Sequence, residues 1–194
     1  MPGGVLFDRD WDVLMKSVAR ICERFRDESI IEFVEIGTHV NNTSRDLIAV
    51  VRQLRSGKFI YHGIDYYPTV FEDSDYVHHQ GLSHLISDEI GVAHWVFVDG
   101  CHCEMCVARD GTLYGSKLVT GGEMCFHDAS ANGQGGGDER SSFMKEHHDE
   151  VEAAKGIQVR RALNTNRFLG FKLTQPALAQ GLGGVEVYER IQGA

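Results

Sequence analysis

Four side chains that can move a proton or hold a cation follow two short apolar runs in the middle of the chain. Asp99 and His102 come after WVFV, and His127 and Asp128 come after MCF. Carboxylates and imidazoles that share one crevice can bind a divalent cation or take a proton from a hydroxyl group. These residues are therefore the candidate chemical centre.

The elements around these residues must bring the four groups together. Short apolar runs between polar turns are typical of strands that are buried on both faces. The segment between the runs is long enough for the crossover helix that parallel neighbours require, and Gly121-Gly122 is the predicted turn into the second strand. Since ligands bind at the carboxyl ends of such strands, we expect one shared crevice.

Two earlier strand candidates also end in acidic residues. IIEFVEIGT contains Glu35 and Gly37 near its end, and KFIYHGI is followed directly by Asp65. Gly37 would allow close backbone approach to a ligand, and Asp65 is placed to accept hydrogen bonds from a ribose. A turn-forming role for Asp65, before the Tyr-Tyr-Pro that follows it, is an equal alternative.

Helical periodicity lies on both sides of the first strand. Apolar residues recur at three- and four-residue spacing after Trp11, which predicts a helix over about 9–26. The tetrad that starts at Thr43 resembles a capping box, which would begin a second helix near Asn42. Asn41 tolerates a positive φ better than most residues.

The last third of the chain carries further predictions. Residues 129–138 (ASANGQGGGD) are too rich in Gly for a regular element and form a lid or a plain connector, and residues 141–155 are predicted as a helix. Residues 157–163 and 168–173 flank NTNR and are predicted as an antiparallel hairpin. The late VEVYERI is a further strand or a tail.

Length and charge limit the function classes. A chain of 194 residues suits a single domain with a full core, and a net charge of −9 disfavours nucleic acid as the main ligand. No apolar run is long enough to cross a bilayer, and the start of the chain lacks the segments of a secretory signal. We therefore expect a cytoplasmic protein that binds neither nucleic acid nor membrane.

Three of the five cysteines crowd into CHCEMC, namely Cys101, Cys103 and Cys106. This spacing is compatible with a zinc site, but structural zinc usually draws two separated ligand pairs, and no second pair exists here. Packing of Cys103 and Cys106 as small apolar residues between helix and sheet is the alternative. The odd number of cysteines argues against a disulfide framework.

The order of elements and the missing motifs narrow the choice of cofactor. Alternating strands and helices closed by a hairpin predict a doubly wound α/β sheet. The turn after the first strand lacks G-x-G-x-x-G and G-x-x-x-x-G-K-[ST], which argues against a nicotinamide, a flavin or a P-loop nucleotide. Acidic ends on the first two strands fit an adenosine-bearing cofactor without a pyrophosphate.

Five motifs resemble those of class I S-adenosylmethionine-dependent methyltransferases. They are EIGTHVNNTS (35–44), GIDYYP (63–68), HQGLS (79–83), FVDGCH (97–102) and LVTGGEMCFHDAS (118–130). The chain is most similar to the small-molecule O-methyltransferase group, which includes macrolide-sugar enzymes and related proteins of cephalosporin biosynthesis. The resemblance implies a Rossmann-like, mostly parallel seven-stranded sheet that ends in an antiparallel hairpin. It also implies one domain over 1–194, with a cofactor half (30–100), a metal and substrate half (101–174) and a tail (175–194).

The resemblance further implies a set of residues that bind S-adenosylmethionine. These are Glu35, Gly37, Thr38, Asn41, Thr43, Asp65, Tyr66, Gly81, Ser83, Asp99, Gly100 and His102. Glu35 and its neighbours would face the methionine part, Asp65 would hold the ribose, and Gly81 would border the adenine.

A divalent metal, magnesium or manganese, is implied at Asp99, His127 and Asp128. The chain departs from the family pattern at two of its positions, because Asn41 replaces the second Gly of the first motif and His127 replaces an acidic residue. Imidazole is a poorer magnesium ligand than carboxylate. The open alternatives are that no metal binds, that a softer ion such as manganese, iron or zinc binds, or that His127 acts as a base.

The expected activity is methyl transfer to a hydroxyl group of a small molecule, with His102, His127 and Asp128 as catalytic residues. A metal at Asp99 and Asp128 could lower the pKa of the acceptor, and His102 or His127 could take its proton. Two alternatives stay open, an accessory protein that binds the cofactor without turnover and a metal-dependent hydrolase or oxygenase. A homo-oligomer is compatible with the sequence.

Overall fold

A seven-stranded sheet forms the centre of the structure, a computed structural model that describes residues 8–130, 158–165, 170–177 and 184–191. The strands are β1 Ile30–Ile36, β2 Lys58–Asp65, β3 Tyr76–Gln80, β4 Ala93–Val98, β5 Leu118–Phe126, β6 Phe171–Gln175 and β7 Glu186–Arg190. The helices are α1 Asp8–Arg24, α2 Asn42–Leu54, α3 Ser83–Ile86, α4 Glu104–Lys117 and α5 Val159–Thr165, with a 3-10 turn at Ser87–Glu89. None of the helices in these ranges is both long and apolar enough to cross a membrane.

The strand order is β3-β2-β1-β4-β5-β7-β6. The strands from β3 to β5 are parallel to their neighbours, and β7 is antiparallel to both β5 and β6. The chain therefore reverses direction across the sheet between β1 and β4, which creates the crevice where α/β proteins bind ligands. The predicted doubly wound, mostly parallel sheet with an antiparallel end is confirmed.

The carboxyl ends of the four central strands are aligned. The residues in register across them are Ile36, Ile64, Val98 and Phe126. The residue that follows each of these must lie at the same edge of the sheet, because the strands are parallel. Asp65 and Asp99 therefore share one rim, as the sequence predicted.

Two apolar layers cover the faces of the sheet. Phe33 and Trp95 point into a core that includes the buried faces of α1 and α2, whereas Val34 and Val96 point into a core with α4 and α5. Adjacent residues face opposite layers because side chains alternate along a strand. Each fully buried side chain of this size contributes about 1.5–3 kcal/mol to folding.

A buried polar network fixes α1 on the sheet. Glu123 of β5 is fully buried and accepts hydrogen bonds from Ser17 at 2.6 Å and from Arg20 at 2.8 Å. The indole of Trp95 donates to the Ser17 hydroxyl at 2.9 Å. Since the carboxylate is paired and hydrogen-bonded, its burial is tolerated, and α1 is held in one orientation.

The predicted position of the hairpin was wrong. Residues 157–163 were expected to form a strand, but the structure has α5 at Val159–Thr165. Val159, Ala162 and Leu163 are the buried residues of this segment, and their spacing is that of one helix face. The antiparallel partner of β6 is β7, which arises from the late VEVYERI.

The predicted turn at Gly121-Gly122 was also wrong. The strand β5 already begins at Leu118 and continues through both glycines. The pairing of β4 and β5 shifts register between Ala93 and Trp95, and Gly121 has a φ of 83°. Glycine inside a strand often marks such an irregularity rather than an end. The predicted helix over 141–155 and most of the segment 129–138 lie outside the described residues.

The Gly37→Ala variant should lose about 2–4 kcal/mol of unfolding free energy, because two penalties add. Gly37 has a φ of 88°, and a Cβ there would lie 2.3 Å from the Asp99 carbonyl oxygen. Gly91→Ala is the matched control, since a Cβ at Gly91 meets no atom within 4 Å. Urea denaturation of the cofactor-free protein measures both variants. Equal stabilities would contradict the close approach of β1 to the end of β4.

Candidate active site

An imidazole ring held between two carboxylates forms the centre of the site. His127 follows β5, and its Nδ1 lies 2.8 Å from Oδ1 of Asp99, which follows β4. The other ring nitrogen, Nε2, lies 3.6 Å from Oδ2 of Asp10. Asp10 and His127 are buried. Such an arrangement stabilises the positively charged form of the ring.

The pKa values of this pair shift in opposite directions. Burial by itself lowers the pKa of His127, but the charge of Asp99 and the contact with Asp10 outweigh it and hold that pKa well above its usual value. Burial by itself raises the pKa of Asp99, but His127 and His102 outweigh it and lower that pKa. We conclude that Asp99 and His127 form an ion pair at neutral pH.

Asp10 is the site residue that sequence reasoning missed. It lies in the first turn of α1, and its side chain is 2% exposed. The sequence could have indicated Asp10 through its position in the helix. It lies four residues before Leu14, on the apolar face of an amphipathic helix. An acidic residue on a buried helix face requires a partner, and here the partner is His127.

His102 and Asp128 extend the cluster towards solvent. Nε2 of His102 lies 3.4 Å from Oδ1 of Asp99 and 3.4 Å from Oδ2 of Asp128. The His102 side chain is 23% exposed, compared with 9% for His127. Asp128 has a φ of 53°, a left-handed conformation that non-glycine residues adopt rarely. The structure thus brings together all four predicted residues of this cluster.

The donor set does not fit magnesium. Asp99, His102 and His127 can each offer one ligand atom, and these atoms lie within 4.8 Å of one another. Two imidazoles and one carboxylate suit softer ions, whereas magnesium prefers oxygen ligands. Both ring nitrogens of His127 face carboxylates, which is the environment of a protonated ring rather than of a metal ligand. A metal at Asp99, His127 and Asp128 stays a prediction, and we derive no step through it.

The turn after β1 approaches the end of β4 very closely. The backbone of Gly37 lies against Asp99 and Gly100. These two residues leave no room for a side chain at position 37. The close approach at this glycine is made to the protein's own backbone, and its predicted approach to a ligand stays a prediction. Thr38 is buried directly after it.

Asn41 occupies the end of this turn and precedes α2. It has a φ of 59°, as its tolerance for positive φ suggested. Its side chain is buried, accepts a hydrogen bond from the Tyr76 hydroxyl at 2.6 Å and donates to Thr69. The predicted capping box was wrong, because Asn41 is the N-cap without a side-chain cap bond and Thr43 lies inside the helix. The hydroxyl of Ser44 bonds elsewhere, to Glu35.

Glu35 lies inside the sheet layer rather than on the rim. It is 1% exposed, and its Oε2 accepts hydrogen bonds from Ser44 at 2.6 Å and from Tyr61 at 2.8 Å. Burial raises the pKa of Glu35 to about 7, although both hydroxyls oppose the shift. A direct contact between Glu35 and a ligand stays a prediction.

Asp65 organises the turns on both sides of it. Its Oδ2 accepts from the backbone N–H of His39 at 2.7 Å, and its Oδ1 accepts from the backbone N–H of Tyr67 at 2.9 Å. The turn-forming alternative is thus seen in the structure. Each carboxylate oxygen can accept a second hydrogen bond, so the ribose role is compatible with these contacts. Tyr66 beside it is 39% exposed.

The residues that are predicted to border the adenine follow β3 in the chain. Gly81 follows β3 with a φ of 154°, and Ser83 begins α3. The hydroxyl of Ser83 donates to Asp110 of α4 at 2.6 Å. Burial raises the pKa of Asp110 to about 6. Ser83 therefore connects α3 to α4, and contact with an adenine stays a prediction.

Comparison with known proteins supports the fold. No family model matches the chain, and no curated protein matches it. MycE methyltransferase from the mycinamycin biosynthetic pathway, solved with Mg, SAH and mycinamycin VI, has a TM-score of 0.52 and 13% identity over 89% of this chain. Only 50% of MycE is covered, so the chain spans about half the length of that relative.

Two further solved structures are similar over most of their own length. Cofactor-bound Rv0187 from MTB has a TM-score of 0.58 and 13% identity, covering 92% of this chain and 81% of Rv0187. A candidate caffeoyl-CoA O-methyltransferase from Staphylococcus aureus has a TM-score of 0.57 and 10% identity, covering 96% and 85%. At these identities the likeness shows the fold alone. The chain has the class I methyltransferase fold, as its motifs suggested.

The Asp10→Asn variant should lower the pKa of His127, because one of its two carboxylate neighbours becomes neutral. Because the pKa of His127 is raised in the folded state, the charged ring stabilises the fold at pH values below 6.5, the ordinary histidine pKa. This stabilisation is lost as the pH rises through the folded-state pKa. The variant should therefore lose stability at a lower pH than the parent does. NMR titration of the His127 ring protons measures the shift directly.

Asp12→Asn is the control for this experiment, because Asp12 lies on the same helix, is 62% exposed and pairs with Lys16. It should leave the His127 titration unchanged. An unshifted His127 in Asp10→Asn would show that Asp99 alone holds the ring charged.

Proposed function

We propose that this chain transfers the methyl group of S-adenosylmethionine to a hydroxyl group of a small molecule. The observation that carries the proposal is the shared rim, where Asp65 after β2 lies on the same edge as the imidazole and carboxylate cluster after β4 and β5. Open α/β sheets bind ligands at the carboxyl ends of their strands, which supports a cofactor and an acceptor at this edge. Cofactor atoms and a proton acceptor can therefore meet there.

The cofactor would lie across the ends of β1 and β2. Asp65 would accept hydrogen bonds from the ribose hydroxyls with the lone pairs that its two backbone contacts leave over. Gly81 and Ser83 would border the adenine, and the turn from Gly37 to Asn41 would follow the methionine part. Glu35 would support this turn from inside the sheet, since its carboxylate accepts a hydrogen bond from Ser44 at the start of α2.

His102 is the better candidate for the general base. His127 is held protonated between two carboxylates, so it has no lone pair to offer at neutral pH. The Nε2 of His102 faces two carboxylates, which accept hydrogen bonds only from a protonated nitrogen. When Nε2 donates to these carboxylates, the nitrogen that would accept the proton of the acceptor is Nδ1.

In the proposed reaction the hydroxyl oxygen of the acceptor bonds to the methyl carbon. The sulfur–carbon bond breaks, and its electron pair stays on sulfur, which becomes neutral. The hydroxyl proton goes to His102, while Asp128 and Asp99 orient that ring. Holding the two reactants in line supplies much of the acceleration, up to about 7–11 kcal/mol in favourable cases.

The acceptor class follows from chemistry and from one relative. MycE was solved with mycinamycin VI, a small molecule, and we extend that class to this chain. The net charge of −9 disfavours a polyanionic acceptor such as nucleic acid. We therefore propose a small, hydroxylated and uncharged or cationic acceptor.

A protein that binds the cofactor without turnover is the second candidate. Asn41 supports it, because a buried side chain bonded to Tyr76 and Thr69 stands where the family has glycine. That side chain fixes the turn in one conformation. A metal-dependent hydrolase or oxygenase is less well supported, since His127 faces carboxylates on both sides.

The Asp65→Asn variant should weaken binding of S-adenosylhomocysteine about 10- to 100-fold, because an amide accepts the ribose hydrogen bonds less well than a carboxylate. Isothermal calorimetry measures the dissociation constant. Asp88→Asn is the control, since Asp88 is exposed in the turn before β4. If the parent protein shows no affinity for S-adenosylhomocysteine, both candidate functions are wrong.

The His102→Gln variant should lower kcat about 10²- to 10⁴-fold, because the proton acceptor is lost. Methyl transfer from labelled S-adenosylmethionine is measured on a panel of macrolide glycosides and catechols. His94→Gln is the matched control, since His94 lies at the opposite, amino end of β4. Parental turnover should persist with a chelator, and strong inhibition by the chelator would return the metal to the mechanism.

A further inference from the structure

Three thiols that the proposed reaction does not use form a separate cluster beside the site. One sulfur each from Cys101, Cys103 and Cys106 lies within 4.8 Å of the other two. Cys103 is 1% exposed and Cys106 is 6% exposed, and they pack with the half-buried Cys101 rather than in either main core. All five cysteines lie in the described ranges, and none forms a disulfide.

The backbone around the start of α4 arranges these sulfurs. Cys103 is the N-cap of α4, with an extended conformation (φ −73°, ψ 151°) that turns the chain into the helix. Its sulfur accepts the backbone N–H of Cys106 at 3.3 Å, so these two residues are fixed by the cap itself. Cys101 comes from the loop after β4 and closes the group from the other side.

Positive charge faces the cluster from two directions. The guanidinium of Arg109 lies 3.7 Å from the Cys106 sulfur. The first turn of α4 adds the partial positive charge of a helix N-terminus. Three thiolates around a divalent cation carry one net negative charge. The guanidinium of Arg109 and the N-terminus of α4 offset this charge.

We propose that Cys101, Cys103 and Cys106 bind one thiophilic cation, zinc, with a solvent molecule as fourth ligand. In a tetrahedral site, Zn–S bonds of about 2.3 Å place sulfurs about 3.8 Å apart. The present separations need to contract by no more than about 1 Å to reach this geometry. Soft thiolate ligands select such ions over magnesium and calcium.

The structure removes the objection that the sequence raised. Structural zinc sites usually need a second pair of ligands, but three sulfurs that converge around one helix cap resemble sites with an open fourth position. The exposed side of Cys101 provides the entry path.

Cobalt titration under reducing conditions tests the proposal. Cobalt replaces zinc in tetrahedral thiolate sites and gives an intense sulfur-to-metal charge-transfer band with visible d–d bands. We expect one equivalent of cobalt to produce these bands in the full chain and one equivalent of zinc to abolish them. Nitrogen and oxygen ligands at Asp99, His102 and His127 give no such charge-transfer band, so the two sites are distinguishable.

Cys103→Ser is the key variant, because serine keeps a helix N-cap while removing one thiolate. It should retain its circular dichroism spectrum and bind cobalt at least about 100-fold more weakly. Cys101→Ser, in the half-buried loop, should behave in the same way. Cys125→Ala, outside the cluster, should keep the parental spectrum.

Three outcomes overturn the proposal. The first is the absence of the charge-transfer band in the parent protein. The second is a parental titration in Cys103→Ser. The third is a disulfide within the cluster in protein purified with reductant and never exposed to oxidant, detected by the mass of unreduced peptides. None of these outcomes bears on methyl transfer, which the cofactor and His102 experiments test.

Discussion

The ion pair between Asp99 and His127 is the constraint on which the site depends. It joins the ends of β4 and β5, and through Asp10 it joins both strands to α1. A buried imidazolium between two carboxylates is stable only when all three elements are docked, because an unpaired buried charge costs several kcal/mol. The same charge arrangement orients His102, which shares Asp99 with His127. One electrostatic group thus couples the fold to the orientation of the proposed base.

The turn after β1 departs from the family motif, because Asn41 stands where the family has glycine. Left-handed conformations occur at Gly37, His39 and Asn41, so the path of the chain is that of a glycine-rich turn. The side chain of Asn41 replaces the missing flexibility by bonding to Tyr76 and Thr69. Asp65 holds the same turn through the backbone of His39. The turn is therefore built from side-chain hydrogen bonds, which makes it more rigid than a run of glycines.

The sequence predicted those features that follow from local periodicity and from the direction of parallel strands. The strands β1, β2, β4 and β5, the helices near Trp11 and Thr43, and the shared rim of Asp65 and Asp99 all depend on such patterns. The failures have a common cause in tertiary context. Residues 157–163 are rich in β-branched and basic residues, and only burial of one face decides that α5 is a helix. Asp10 could not be assigned to the site because nothing local connects it with His127. The convergence of three cysteine sulfurs likewise depends on the cap of α4.

The network of Ser17, Glu123 and Trp95 has a consequence for how the protein is made. Ser17 and Glu123 are separated by 106 positions along the chain. During synthesis α1 emerges before β5, which carries the carboxylate that anchors it. The apolar face of α1 can pack earlier against α2 and β4, which share its core. The hydrogen bond from Ser17 to Glu123 forms only after β5 has been made, so the final orientation of α1 is fixed late.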